Sequence, residues 1–82
     1  MALSHAILTA LLEEDLSGYE LTQRFQTSLG FFWEASHQQI YRELKKLAER
    51  GWITSSPVAQ EGRPDKIVHA LTDAGRAALA EW

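Results

Sequence analysis

The sequence predicts a helix over residues 36–50, and one side of this helix carries two amide and three cationic side chains. On a helical wheel with about 100° per residue, Ile40, Leu44 and Leu47 share one side. The opposite side is polar and carries Gln38, Gln39, Arg42, Lys45 and Lys46. Amides pair with adenine and guanidinium with guanine in a major groove, whereas lysines more often meet phosphates. The pattern predicts either a groove-reading helix or an ordinary amphipathic helix with a solvated polar face.

Both ends of this helix are marked in the sequence. Ser36-x-x-Gln39 fits a capping box, in which each side chain satisfies a backbone N–H at the helix start. Ser36 can serve as the cap alone or can also donate to a phosphate. Gly51 stands where a left-handed C-terminal stop belongs. Tyr41 falls between the two faces, so we expect partial burial with its hydroxyl on phosphate.

Length and composition restrict the class of protein. The 82 residues predict one small domain with a modest core, and 45% hydrophobic residues exclude a disordered chain. The absence of cysteine excludes disulfides, a thiolate zinc site and a cysteine nucleophile. Neither a signal peptide nor an apolar run of about 20 residues is present, which favours the cytoplasm.

The net charge of −3 is unevenly distributed. Residues 1–35 carry five acidic side chains against Arg24, and we interpret the run Glu13-Glu14-Asp15 as solvated charges in a turn. Residues 36–66 carry six basic and four acidic side chains, hence a local charge of +2. Phosphate attraction depends on charge within about 8–10 Å, so this local excess supports nucleic-acid binding modestly.

Three helices precede a hairpin in the predicted element order. The first covers residues 2–14; the second opens with the capping box Ser17-x-x-Glu20 and ends at Gly30. A short extended segment, Phe31-Phe32-Trp33, is expected to cross the core before the third helix.

After Gly51 the pattern changes to two strands, over residues 52–58 and 66–71, with a tip at Gly62-Arg63-Pro64. Thr72 caps a last helix that Gly75 interrupts. The fold class is therefore mainly α with a small β-hairpin (α+β). We interpret it as a winged helix-turn-helix with the order α1-α2-extended segment-α3-β-wing-β-α4.

Catalytic and metal-binding patterns are weak in this sequence. His5, His37 and His69 fall on three different elements, and His69 alternates with apolar residues as a packed strand histidine would. The five glycines are isolated, so no phosphate-binding loop is formed. We expect no enzyme, no cofactor and no metal site.

The chain resembles the N-terminal DNA-binding domain of PadR-like transcriptional regulators over nearly its whole length. The likeness rests on the segments LSGYEL (16–21), FWEASHQQIYREL (32–44), LAERGWI (47–53) and GRPDK (62–66), the last followed by LTDAG (71–75). Where many members have glycine and proline, this chain has Gln39 and Arg42.

The resemblance implies a repressor that binds an inverted repeat as a homodimer and releases it when a small effector binds. In such proteins a C-terminal helical region supplies the dimer contact and most of the effector pocket. That region is missing here, and the apolar Ala77, Ala78, Leu79 and Trp82 look like the start of an interface that continues. We therefore expect residues 1–82 to be the winged-helix domain of a longer regulator.

The predicted DNA contacts lie on the third helix and the wing. Gln38, Gln39 and Arg42 stand early enough to meet base edges, and Lys45 and Lys46 would meet the backbone. Arg63 would enter a minor groove or touch phosphate, supported by Lys66. Two alternatives stay open: a winged-helix protein-interaction module that touches no nucleic acid, and a regulator of the MarR type.

Overall fold

The computed structural model describes residues 3–27 and 36–81, without the side chains of residues 26 and 27. In these ranges the chain forms helices α1 (Leu3–Glu13), α2 (Gly18–Thr27), α3 (His37–Glu49) and α4 (Asp73–Ala80), and strands β1 (Leu16–Ser17), β2 (Ile53–Gln60) and β3 (Arg63–Leu71). This is the predicted order of a winged helix-turn-helix, with β1 added. The expected segment Phe31-Phe32-Trp33 and the stop at Gly30 lie outside the described residues.

The strands form one antiparallel sheet in the order β1-β3-β2. Leu16 pairs with His69 and Ser17 with Val68, so the segment between α1 and α2 is anchored to the hairpin. The sequence analysis missed β1 because two residues are too short for a strand pattern and their partners are distant in sequence. β2 lies at the edge of the sheet, where Pro57 costs no central ladder hydrogen bond.

The hairpin is longer than predicted, and its turn is displaced. The turn occupies residues 61 and 62, where Gly62 has a φ of +72°, and Gln60 pairs with Arg63 across it. Arg63 and Pro64 therefore belong to β3 and not to the tip. Of the two turn residues, the second has the positive φ, a conformation that favours glycine because glycine has no Cβ.

The core lies between α1, α2, α3 and one face of the sheet. Its largest fully buried side chains are apolar apart from one threonine, and they are Phe25, Ile7, Leu8, Leu21, Ile40, Leu47 and Thr22. Leu16 of β1 and Ile53 and Leu71 of the hairpin complete it. The sheet thereby braces the helical unit from one side. Within the described ranges, no helix combines the length and apolar character needed to cross a bilayer.

The last helix is capped by Thr72, whose hydroxyl accepts from the Gly75 N–H at 3.0 Å, as predicted. The predicted interruption at Gly75 is wrong, since α4 runs through this residue. Gly75 is instead required for close packing. A Cβ there would collide with the backbone carbonyl oxygen of Trp52 and would lie 3.0 Å from a methyl carbon of Leu71.

Candidate nucleic-acid interface

Helix α3 has the two faces that the sequence predicted. Ile40, Leu44 and Leu47 are at most 3% exposed and face the core. The polar side chains on the other side are exposed; they are Gln38, Gln39, Arg42, Lys45 and Lys46. The hydrophobic stripe thus fixes the rotation of the helix about its axis. As a result, two amides, one guanidinium and two ammonium groups are presented together to the solvent.

The start of α3 is fixed by the predicted capping box. The Ser36 hydroxyl accepts from the Gln39 N–H at 3.1 Å, and the Gln39 Oε1 accepts from the Ser36 N–H at 2.9 Å. Ser36 itself has extended backbone, as an N-cap residue requires. The first turn of α3 is therefore ordered by its own side chains, and the Gln39 amide is anchored to the backbone.

The end of α3 is a Schellman motif centred on Gly51, which has a φ of +78°. The Gly51 N–H donates to the Ala48 carbonyl at 3.0 Å and the Trp52 N–H to the Leu47 carbonyl at 3.1 Å. The Arg50 guanidinium lies 5.1 Å from the centre of the Trp52 ring. The chain consequently turns at once from the end of α3 into the hairpin.

Tyr41 connects α3 to α2. Tyr41 is 48% exposed, more than the predicted partial burial implies. The ring lies on the backbone of Gly18, where a Cβ would be only 2.8 Å from the Tyr41 Cζ and 3.0 Å from its hydroxyl oxygen. The His37 ring stands 6.3 Å away, centre to centre. Only glycine at position 18 allows this ring to reach the first residue of α2. Sequence reasoning missed this contact because nothing local links the two positions.

The two basic residues predicted for the wing lie in different surroundings. Arg63 is exposed next to the hairpin turn, at the free end of the wing. Lys66, which was expected to support Arg63, instead places its ammonium nitrogen 3.6 Å from Glu20 Oε2. Glu20 also accepts from the Ser17 N–H at 2.9 Å, within the predicted capping box of α2. That backbone hydrogen bond, with help from Lys66, lowers the pKa of Glu20.

Acidic residues near α1 are also paired. Arg24 forms ion pairs with Glu13, at 3.4 Å, and with Glu14. All three acidic side chains of this run are exposed, as predicted, and two of them are also paired. The pairs join the end of α1 to α2, and Arg24 offsets part of the negative charge there.

His69 is a packed histidine, as predicted. It is buried in β3, and its Nδ1 lies 2.8 Å from the Ser55 hydroxyl of β2. Burial lowers the pKa of His69 because a charged imidazolium loses hydration there. Among residues 3–27 and 36–81, no three His, Cys, Asp or Glu side chains are grouped so as to hold a metal ion.

Comparison with known proteins identifies the family. Residues 7–81 match the model of the transcriptional regulator PadR-like family. A probable transcriptional regulator of Mycobacterium tuberculosis, Rv1176c, is 55% identical over 82 residues, which are 100% of this chain and 43% of the relative. The negative transcriptional regulator PadR of Bacillus subtilis is 45% identical over 80 residues, 98% of this chain and 44% of PadR. The chain thus spans less than half the length of these relatives.

Two solved structures of B. subtilis PadR resemble this fold. PadR in complex with operator DNA matches with a TM-score of 0.92 and 44% identity, over 99% of this chain and 46% of that one. PadR in complex with p-coumaric acid matches with a TM-score of 0.78, over 98% of this chain and 40% of that one. The family consists of regulators rather than enzymes. On the match over residues 7–81 and these relatives, the chain belongs to the PadR-like family of transcriptional regulators.

Proposed function

We propose that this chain is the operator-binding winged helix of a homodimeric transcriptional repressor, with α3 in the major groove. One observation carries the proposal: a fully apolar face of α3 is buried while its amides and cations are exposed, on a backbone that superimposes on operator-bound PadR. Helix-turn-helix proteins place the first residues of the second helix of the motif against base edges. Here those residues belong to α3.

The residues of α3 take different roles according to their position. Gln38, Gln39 and Arg42 lie in the first half of the helix and would meet base edges. Lys45 and Lys46 lie one turn later and would meet phosphates. Ser36 precedes these residues and Tyr41 lies among them. The hydroxyl groups of both would donate to DNA phosphates.

The wing would approach the neighbouring part of the duplex. Arg63, exposed beside the hairpin turn, would touch phosphate or enter the minor groove. Lys66 would contribute less than the sequence suggested, because Glu20 already holds its ammonium group. Lys66 would therefore bind DNA only if its ammonium group left the Glu20 carboxylate for a phosphate.

The remaining functions belong to parts of a PadR-like protein that this chain does not span. We assign dimerisation and most of the effector site there, since the relatives are more than twice as long. The effector would be a small molecule, in line with the p-coumaric acid bound to PadR. Operator binding of this kind would place the protein in the cytoplasm. Two copies of α3, one from each subunit of the homodimer, would read an inverted repeat.

Selection of bound duplexes from a random pool, followed by anisotropy titrations at several salt concentrations, tests the proposal. Arg42→Ala should cost about 1–3 kcal/mol in binding and relax the preference at one base pair. Lys46→Ala should weaken binding to all sequences alike and reduce the salt slope by about one. Arg76→Ala, an equal loss of charge on exposed α4, is the matched control and should change neither property.

Two results would contradict this function. Unchanged binding in both the Arg42 and Lys46 variants, with the fold intact, would show that α3 is not the reader. No binding to any duplex even at low salt would favour the protein-interaction module, which the net charge of −3 also suits. Repression itself is measured with a reporter gene behind the selected operator; higher expression in the presence of the protein would indicate an activator.

A further inference from the structure

The pairing of β2 with β3 is regular except close to the hairpin turn. Cross-strand partners keep one register as far as the pair Val58–Lys66, and the register shifts before the last pair, Gln60–Arg63. Between these two pairs β2 has a single residue, whereas β3 has the dipeptide Pro64-Asp65. The extra residue forms a β-bulge in β3, a position at which a strand tolerates proline.

The bulge decides on which face of the wing Arg63 lies. Opposed residues of an antiparallel pair share a face, and successive residues of a strand alternate between faces. Gln60 therefore lies on the face of Val58 and Lys66, and Arg63 joins them as the partner of Gln60. We call this the Lys66 face. Strict alternation back from Lys66 would place Arg63 on the opposite face, with the buried Leu71.

A side-chain hydrogen bond spans the two strands at the bulge. The Gln60 Nε2 donates to the Pro64 carbonyl oxygen at 2.9 Å. Gln60 is partly buried, whereas residues 61–65 are exposed. In the register without a bulge, Pro64 would oppose Gln60 and Arg63 would fall within the turn. The Gln60 amide thus favours the bulged register by binding the carbonyl that the bulge presents to it.

The Lys66 face lies on the side of the wing that adjoins the proposed interface. The Lys66 ammonium nitrogen is 3.6 Å from Oε2 of Glu20, in the first turn of α2. Gly18, the first residue of the same helix, lies against the Tyr41 ring of α3. In helix-turn-helix proteins the first helix of the motif crosses the DNA backbone. A cation on the Lys66 face therefore stands where α2, α3 and the wing meet.

We propose that the bulge turns Arg63 toward the DNA backbone on the Lys66 face, and that Gln60 is the positioning residue that keeps it there. This inference rests on the proposed function and adds a residue outside the predicted DNA contacts. Gln60 acts through Arg63 and touches no DNA itself. Because phosphates carry no sequence information directly, affinity and salt dependence should depend on Gln60, and base preference should not.

A double-mutant cycle between Gln60 and Arg63 tests the inference in anisotropy titrations with the selected operator. Arg63→Ala should weaken binding about tenfold and reduce the salt slope by about one. Gln60→Ala should weaken binding about threefold, the equivalent of one exposed hydrogen bond, and should lower the salt slope although it removes no charge. In the Arg63→Ala background, Gln60→Ala should have no further effect. Ser56→Ala, on the same strand and face but away from the bulge, is the matched control and should bind like the wild type.

Deletion of Asp65 tests the register itself. It removes the extra residue, so the ladder from Gln60–Arg63 to Val58–Lys66 becomes regular and Arg63 keeps its face without a bulge. In the deletion protein, Gln60→Ala should therefore no longer weaken binding. Asp65→Ala loses the same carboxylate and keeps the bulge, so it is the matched control. In that background Gln60→Ala should still weaken binding about threefold.

The outcomes separate this inference from the function beneath it. Equal weakening by Gln60→Ala with and without Arg63 would show a merely structural role, and the inference would fail. Wild-type binding by Gln60→Ala, with Arg63→Ala impaired, would overturn the positioning role as well. If both variants bind like the wild type while Lys46→Ala is impaired, the wing does not meet the duplex and the proposed role of α3 stands alone. If the wild type binds no duplex, the proposed function itself fails. Thermal melting of each variant confirms that the compared proteins are folded.

Discussion

Replacing Gly18 by alanine tests whether Tyr41 sets the contact between α2 and α3. The added methyl carbon would lie 2.8 Å from the Tyr41 Cζ and nearer still to Cε1. Carbon atoms attract best at about 3.5–4.0 Å, so the ring must move by at least about 1 Å. Tyr41 is 48% exposed and can rotate outward, so the fold should survive.

The expected cost follows from opposing terms. Forcing a carbon into a filled contact destabilises a protein by about 1–3 kcal/mol, and an exposed ring that can move favours the low end. In a helix, alanine stabilises the folded state by up to about 1 kcal/mol relative to glycine. This difference offsets part of the cost at the first residue of α2. We expect a net loss of about 1 kcal/mol, or a melting temperature about 4–8 °C lower.

A double-mutant cycle followed by urea denaturation measures the contact itself. In a Tyr41→Ala background the obstruction is gone, so Gly18→Ala should be neutral or stabilising by up to about 1 kcal/mol. The coupling energy between the two positions should then be about 1–2 kcal/mol. Equal destabilisation by Gly18→Ala in both backgrounds would refute the reasoning, because the cost would not depend on the ring.

Three further predictions concern stability and its pH dependence, and a fourth concerns DNA binding. Gly75→Ala should cost about 3 kcal/mol in urea denaturation, more than Gly18→Ala, because the Trp52 carbonyl is backbone and cannot rotate away; equal costs would contradict this. Burial lowers the pKa of His69, so the unfolded chain takes up a proton first and the unfolding free energy falls as pH drops below 6.5. His69→Gln should remove that part of the slope, and an unchanged slope would show that His69 does not cause it. The lowered pKa of Glu20 gives stability that is present above pH 4.5 and is lost as pH falls through that lowered value. Glu20→Gln should therefore reduce the fall of the unfolding free energy at acid pH. The same substitution frees Lys66, and the salt slope for random duplex should steepen by up to about one; no change would place Lys66 away from DNA.

Local features of this fold could be predicted in detail from the sequence. Both capping boxes form as expected, because their partners are three residues apart and the chemistry of a helix start is local. The left-handed stop at Gly51 follows from the same kind of rule. The exposed face of α3 follows from the spacing of Ile40, Leu44 and Leu47, because burial of this stripe determines the orientation of the whole helix.

Features that depend on distant partners could not be predicted. Strand β1 exists because Leu16 and Ser17 meet β3 more than fifty residues later. The surroundings of Lys66 depend on Glu20 of α2, and the reason for Gly18 is a ring on α3. Gly75 looks like a helix breaker in a local pattern, yet it provides clearance for the Trp52 carbonyl. In each case the deciding neighbour is set by tertiary packing and leaves no local signal.

The arrangement of charges explains how a chain of net charge −3 can approach DNA. Glu13 and Glu14 are paired with Arg24, and Glu20 is paired with Lys66. Paired carboxylates project a weaker field than isolated ones, and salt screens what remains beyond about 8–10 Å. The exposed side of α3 keeps its cations, so the local potential there decides the approach of phosphate. Adding a carboxylate to that side should therefore impair binding far more than adding one near α1, although both changes lower the net charge by one.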